Sequence, residues 1–273
     1  MNSLYLNLIK PNLDNDKNFL FEDDGSSITY KDFIAFASKV SHKLTNLGLN
    51  TGDIILVKSP KSKEALSVYL TSILTGTVYL PLNSSYTINE TIYFIKDARP
   101  SFFICEENDI NELKPICDEI NCKILSLNKD GSGKLTESIN AYSNYFEPIE
   151  RNLNDLAALL YTSGTTGKPK GAMLSQENLV SNSKALSDLW EISNKDQLIH
   201  SLPIYHTHGL FVAINTSMIA GASIRFIKGF NLDLIIEAMP NSTLLMGVPT
   251  FYTRLLKDKR LTKSLTSNMR LFI

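Results

Sequence analysis

The chain has 273 residues, 43% of them hydrophobic, with 27 Lys and Arg against 28 Asp and Glu for a formal net charge of −1. This is enough chain for a sizeable core, and interspersed, nearly balanced charge gives no case for nucleic acid or an anionic membrane surface as partner. No apolar run of about 18 residues and no basic head followed by an apolar core occurs, so neither a membrane span nor a signal peptide is expected; the three cysteines lack CxxC or metal-ligand spacing and suit reduced thiols in a cytoplasmic protein.

The first half alternates helix and strand patterns. Thr29 is placed to cap a helix whose apolar residues Phe33, Phe36, Ala37, Val40 and Leu44 recur at helical spacing, and Gly48 to close it. DIILVK (53–58) reads as a strand and KEALSVYLTSILTG (63–76) as a helix closed by Gly76. VYLPL (78–82) is the next strand. Thr87 and Glu90 form a TxxE capping box for a helix reaching about Ala98. The strand SFFICEE, a helix near 109–120 and the strand KILSL (123–127) complete the series. Repeated β-α-β predicts an α/β fold with mostly parallel sheet and helices on both faces.

Residues 128–154 are polar and weakly periodic, and read as a connection between two sheet units, 1–127 and 155–273. Alternation then resumes. LAALLYTS and GAMLS are strands, and Ser175 caps a helix to about Trp190. LIHSLPI (198–204) is a strand, GLFVAINTSMIAG (209–221) a helix and ASIRFIK (222–228) a strand. A helix near 232–239, the strand TLLMGV, a helix near 250–258 and a last strand at MRLFI follow.

Between the strands LAALLYTS and GAMLS lies the loop of LLYTSGTTGKPKG (159–171). Gly164 and Gly167 let a ligand approach the backbone closely. Ser163, Thr165 and Thr166 bring hydroxyl donors, and Lys168 and Lys170 bring charge, a nest suited to phosphate oxygens. It is not the GxxxxGK[ST] phosphate loop: position 162 is Thr where that pattern needs Gly, and Pro169 replaces the metal-binding hydroxyl. Pro169 also bars a helix running on through the lysine. The spacing therefore predicts a hairpin between two strands.

YTSGTTGKPKG resembles, residue for residue, the phosphate-loop signature of the adenylate-forming (AMP-binding) superfamily. The resemblance implies ATP-dependent activation of a carboxylic acid to an acyl-adenylate, then transfer to the thiol of coenzyme A, an acid–thiol ligase activity within fatty acid metabolism. It implies that Thr162, Ser163, Gly164, Thr165, Thr166, Gly167, Lys168, Pro169 and Lys170 hold the ATP phosphates, with Thr165, Thr166 and Lys168 taking part in catalysis. PIYHTHGL (203–210) is similar to the superfamily phrase bordering the acid pocket, with His206 at the histidine position and His208 facing the same cavity if the chain is extended there. MGVPTFYTRLL resembles the stretch before the second wall of that pocket, and places Met246 and Gly247 beside the acid.

Together with PLNSSYT and MRLFI, these phrases look most like malonyl-CoA synthetases, implying malonate or methylmalonate as the small acid. A distal carboxylate in a closed pocket needs a cation; Arg270 is the first candidate, then Arg254 and Arg225. Each also reads as an ordinary surface ion pair, and each histidine as a hydrogen-bonded core residue. A zinc site at His206 and His208 lacks a third ligand of suitable spacing. Gly229 stands before Phe230 where some malonate-type enzymes carry a basic residue, so another acid is an alternative. The resemblance extends over the whole chain but only the first half of a typical member. The adenine-, ribose- and Mg²⁺-binding phrases and the small C-terminal domain with its catalytic lysine are not found in these residues. The chain is therefore expected to be a truncated part, inactive alone, with a non-catalytic remnant that binds phosphate or a protein partner as a further alternative.

Overall fold

The computed structural model describes residues 1–162 and 169–273, which form two compact units, residues 1–6 with 34–180 and residues 7–33 with 181–273. Strands β1 (Asn18–Phe21) and β2 (Ser27–Thr29) are followed by helix α1 (Tyr30–Asn46). The Thr29 hydroxyl accepts from the Asp32 N–H at 3.0 Å, so the expected cap is in place. Apolar periodicity does not reveal β1 and β2: four and three residues long, they offer too few alternations to register as a period.

In the first unit follow β3 (Ile54–Lys58), α2 (Lys63–Thr75), β4 (Val78–Pro81), α3 (Ile88–Ala98), β5 (Phe102–Cys105), α4 (Glu107–Glu119), β6 (Lys123–Ser126), β7 (Leu156–Thr162) and β8 (Lys170–Ser175). They make a six-stranded sheet in the order β6-β5-β3-β4-β7-β8, parallel except for the β7–β8 pair. Parallel neighbours require crossovers, and α2, α3 and α4 supply them. Gly76 closes α2 at φ 66°, and both halves of the Thr87–Glu90 capping box are formed at the start of α3. Leu56, Leu80, Phe94, Phe103 and Leu113 pack into one buried cluster.

The second unit holds β1, β2 and, beyond α5 (Gln176–Leu189), strands β9 (Gln197–His200), β10 (Ser223–Phe226), β11 (Leu244–Met246) and β12 (Leu271–Phe272). Their order is β12-β11-β9-β10-β1-β2, with only β1–β2 antiparallel. Helix α6 (Asn215–Ala220) precedes β10, α7 (Leu232–Ala238) precedes β11 and α8 (Pro249–Leu255) follows it. Ile199, Ile227, Ile235, Leu245 and Leu255 form the core beside α7 and α8. No helix of the described residues is long and apolar enough to cross a membrane.

The two mostly parallel sheets agree with the sequence, but the boundary at 128–154 does not. β7 pairs with β4, Tyr79 opposite Ala158, so the phosphate-loop strands finish the first sheet instead of opening the second. Apolar periodicity identifies a strand without naming its partner. Nor is the polar stretch a bridge between sheets: Leu135 and Ile139 are buried, and the Ile149 N–H donates to Leu74 O at 2.9 Å, so it lies on the unit it leaves.

One buried side chain ties the start of the second unit to its middle. Tyr30 is fully buried, and its hydroxyl lies 2.6 Å from Ala222 O and 3.1 Å from Ser217 O. Tyr30→Phe leaves a buried carbonyl without its donor and is expected to lower unfolding stability by about 1–2 kcal/mol; a urea titration with an unchanged midpoint would refute this.

Candidate active site

The base of the expected phosphate loop is built by β7 and β8. They pair antiparallel with Tyr161 opposite Gly171 and Thr162 opposite Lys170, so the segment joins two strands as the position of Pro169 predicts. Ser163, Gly164, Thr165, Thr166, Gly167 and Lys168 lie outside the described residues. Thr162, Pro169 and Lys170 are described, and helix α3 holds the hairpin beside them. The Tyr93 hydroxyl donates to Pro169 O at 3.1 Å, and the Tyr161 hydroxyl donates to the Asp97 carboxylate. Phe94 meets the Tyr161 ring edge-on at 4.7 Å between centroids. Burial, with Asp97 alongside, pushes the Tyr161 phenol above its usual range.

Tyr93 and Asp97 are one helical turn apart and so reach the same side of α3. Sequence alone does not single them out, because a polar i,i+4 pair on an amphipathic helix resembles any solvated face. The loop's two anchors are thus a strand pairing and a helix made rigid by its own capping box.

The acid-side phrase grows from β9. His200 ends this strand, in register with Phe226 of β10 and Met246 of β11. These positions are the carboxyl ends of adjacent parallel strands, where open α/β sheets present ligand crevices. The expected strand 198–204 stops at His200 because the chain folds back there. His200 is fully buried, and its Nε2–H donates to Gly209 O at 2.6 Å. A Cβ on Gly209 would sit 2.0 Å from Pro203 O, so only glycine permits this closure.

His206 therefore lies on a bend and His208 at the start of a helical segment, not on an extended chain. His206 is exposed, its ring lies tilted at 59° to the Tyr205 ring with centroids 4.6 Å apart, and its carbonyl accepts from Leu210 N–H. His208 starts a π-wound segment, His208–Ile214, that continues into α6. The expected helix exists, but its first part is wound more widely, a form frequent at functional sites. Among the described residues no group of three or more His, Cys, Asp or Glu gathers as metal ligands. Met246 is fully buried in the sheet, and Gly247 N–H donates to Ile273 O at 2.8 Å.

The three candidate arginines separate clearly. Arg270 Nε and Nη2 each lie 2.9 Å from an oxygen of Asp196, and Nη1 and Nη2 donate to the carbonyls of Trp190 and Glu191. Its planar fork is committed to the fold, which removes the first-ranked cation for a distal carboxylate; MRLFI shows an arginine but not the aspartate 74 positions earlier that takes it. Arg225 donates to the carbonyls of Phe21 and Glu22 and lies 3.8 Å from Asp23. Arg254, exposed on α8, sits over the Phe230 ring at 5.1 Å.

Burial pushes the Asp196 carboxyl up, but hydrogen bonds from Arg270, Thr243 and the Ser193 N–H outweigh it and bring it to about 2. Its stabilising contribution is present above its ordinary value of 3.8 and is lost as pH falls toward about 2. Arg270→Met leaves a buried carboxylate without its cation and is expected to cost about 2–3 kcal/mol in urea denaturation; an unchanged stability would show that the pair is not a clamp.

Surrounding protein atoms lower both His206 and His208 below the ordinary 6.5. Each binds a proton more readily unfolded than folded. Their contribution is present above 6.5 and lost as pH falls through the lowered folded values. The urea midpoint is expected to fall on acidification below that value, and a His206→Gln, His208→Gln variant to show a flatter dependence. Parallel pH curves for the two proteins would contradict this sign.

Residues 11–273 match the family model described as AMP-binding enzyme. A malonate–CoA ligase of Arabidopsis thaliana is 28% identical over 246 residues, covering 85% of this chain and 40% of that protein. The crystal structure of ATP-bound MatB from Rhodopseudomonas palustris has a TM-score of 0.96 and 45% identity, covering 99% of this chain and 54% of that one. A benzoate CoA ligase from Burkholderia xenovorans shares the fold, with a TM-score of 0.84 at 18% identity. The chain thus spans about half the length of these relatives. The family model matches nearly the whole chain, and this chain belongs to the AMP-binding enzyme family.

Proposed function

We propose that the chain is the phosphate- and acid-binding part of an AMP-forming malonate–CoA ligase. The observation that carries this reading is YTSGTTGKPKG set between two antiparallel strands whose base is fixed by α3. In this reading the acid's carboxylate oxygen attacks the α-phosphorus of ATP and pyrophosphate leaves. The thiol of coenzyme A then displaces AMP from the acyl carbon. Charge grows on the departing pyrophosphate, and the hydroxyls of Ser163, Thr165 and Thr166 with the Lys168 ammonium stabilise it; a bound Mg²⁺ would supply further counter-charge there.

Arg254 is the chain's cation for the distal carboxylate of malonate. Support comes from the commitments of Arg270 to Asp196 and of Arg225 to the β1 backbone, while Arg254 lies on α8 over Phe230. His206 and His208, which burial shifts below their ordinary value, border the same acid from the segment after β9.

A chimera tests the reading: residues 1–273 replace the matching 54% of R. palustris MatB, and malonate-dependent ATP–pyrophosphate exchange is measured. Exchange is expected with malonate over benzoate. Lys168→Ala is expected to lower it by about 10²–10³-fold. Arg254→Met is expected to lower malonate kcat/KM by about 10-fold or more while sparing a monocarboxylic acid. A folded chimera that prefers the monocarboxylic acid overturns the malonate assignment, and full activity in Lys168→Ala overturns the loop assignment.

A further inference from the structure

Three buried cysteines take no part in the proposed chemistry: Cys105, Cys117 and Cys122. Four residues separate Cys117 from Cys122, a spacing with no motif attached to it. The fold supplies one. At the end of α4 the Cys122 N–H donates to Cys117 O at 2.8 Å and the Asn121 N–H donates to Asp118 O at 3.2 Å, with Asn121 at φ 58°. This pair of bonds is a Schellman termination, which brings together the side chains of the third-last helical residue and the residue after the left-handed one. In most helices that contact is apolar. Here both members are thiols, and both lie in the same buried cluster, with the Cys122 thiol donating to Lys123 O at 3.8 Å.

A disulfide joins residues whose Cα atoms are about 4.4–6.8 Å apart, and the direct backbone hydrogen bond between Cys117 and Cys122 holds theirs at that order of separation. Two further features bear on reactivity. The neighbouring Cys122 thiol lowers Cys117 from its ordinary value despite burial. Pro115 lies inside α4 and cannot donate to the carbonyl one turn earlier, so the last turn opens more easily than an unbroken helix. Asp118, Glu119, Asn121 and Lys123 around the pair are exposed.

We propose that Cys117 and Cys122 form a peroxide-oxidisable dithiol that closes the end of α4 as a reversible disulfide. The Cys117 thiolate attacks one oxygen of hydrogen peroxide, the O–O bond breaks, and the products are a sulfenic acid and, after protonation, water. The Cys122 sulfur then displaces the sulfenic oxygen, which leaves as a second water. Two S–H bonds and one O–O bond are lost, one S–S bond forms, and two electrons pass from sulfur to the peroxide. This proposal is independent of the substrate assigned above.

The test is to treat the folded chain with hydrogen peroxide, unfold it in the presence of an alkylating agent and analyse peptides by mass. The expected result is one alkylated cysteine of three, Cys105, and a peptide containing both Cys117 and Cys122 lighter by two hydrogens, restored by dithiothreitol. Cys105→Ala is expected to give the same linked peptide, and Cys122→Ala a Cys117 sulfenic acid that dimedone traps. Should Cys122→Ala fail to fold, the peptide masses from the unsubstituted chain and Cys105→Ala decide alone. Retention of all three thiols, oxidation of Cys105 instead, linkage only between molecules, or sulfinic acid without a disulfide would each overturn the proposal.

Discussion

The hydrogen bond from His200 to the Gly209 carbonyl is the constraint on which the segment after β9 depends. It fixes where β9 ends, because a chain returning to within reach of that imidazole cannot continue as strand. It also sets the start of the π-wound segment, and so the places of His206 and His208. The close approach of Gly209 to the Pro203 carbonyl has no tolerance for a side chain, so the turn is specified by the residue that lacks one. A buried histidine used this way is not itself a reacting group. It holds the segment PIYHTHGL at the carboxyl end of the central strand of its sheet.

The hairpin of the first unit is arranged on the same principle with different parts. β7 is a nearly continuous apolar run, paired on both sides. β8 is the sheet's edge and is largely exposed, with Met173 at 70%. One side of the loop is therefore anchored in the core and the other only through its partner strand. Tyr93 and Asp97 compensate for that asymmetry, reaching from α3 to Pro169 and Tyr161. Both segments rely on side chains that grip backbone or a neighbouring ring at the root of a loop.

Much of this was legible in the sequence, and the reasons differ by element. The capping box at Thr87 and Glu90, the closing glycine at 76 and the caps at Thr29 and Ser175 are local chemistry, and each sits where its spacing placed it. The long phosphate-loop phrase and the failed match to a helix-starting loop both pointed to a hairpin, and the antiparallel register agrees. What stayed hidden is non-local. No period reveals that β7 belongs beside β4, that Asp196 takes Arg270, or that Cys117 and Cys122 meet across a helix end. PIYHTHG could be read for its histidines but not for its bend, since the bend follows from His200 and Gly209 acting on each other.

The two units are interleaved in sequence: the chain leaves the first unit after residue 6, returns at 34 and departs again after 180. This has a consequence for the order in which a growing polypeptide can fold. The first sheet has all its strands once residue 175 has been made. β1, synthesised far earlier, pairs in parallel with β10, Leu20 with Ile224, and must wait for roughly two hundred further residues. Contacts so distant along the chain are the slow ones. Until they form, the Asn18–Thr29 hairpin has an open strand edge, which makes it the segment of a nascent chain most in need of protection from pairing with a neighbour.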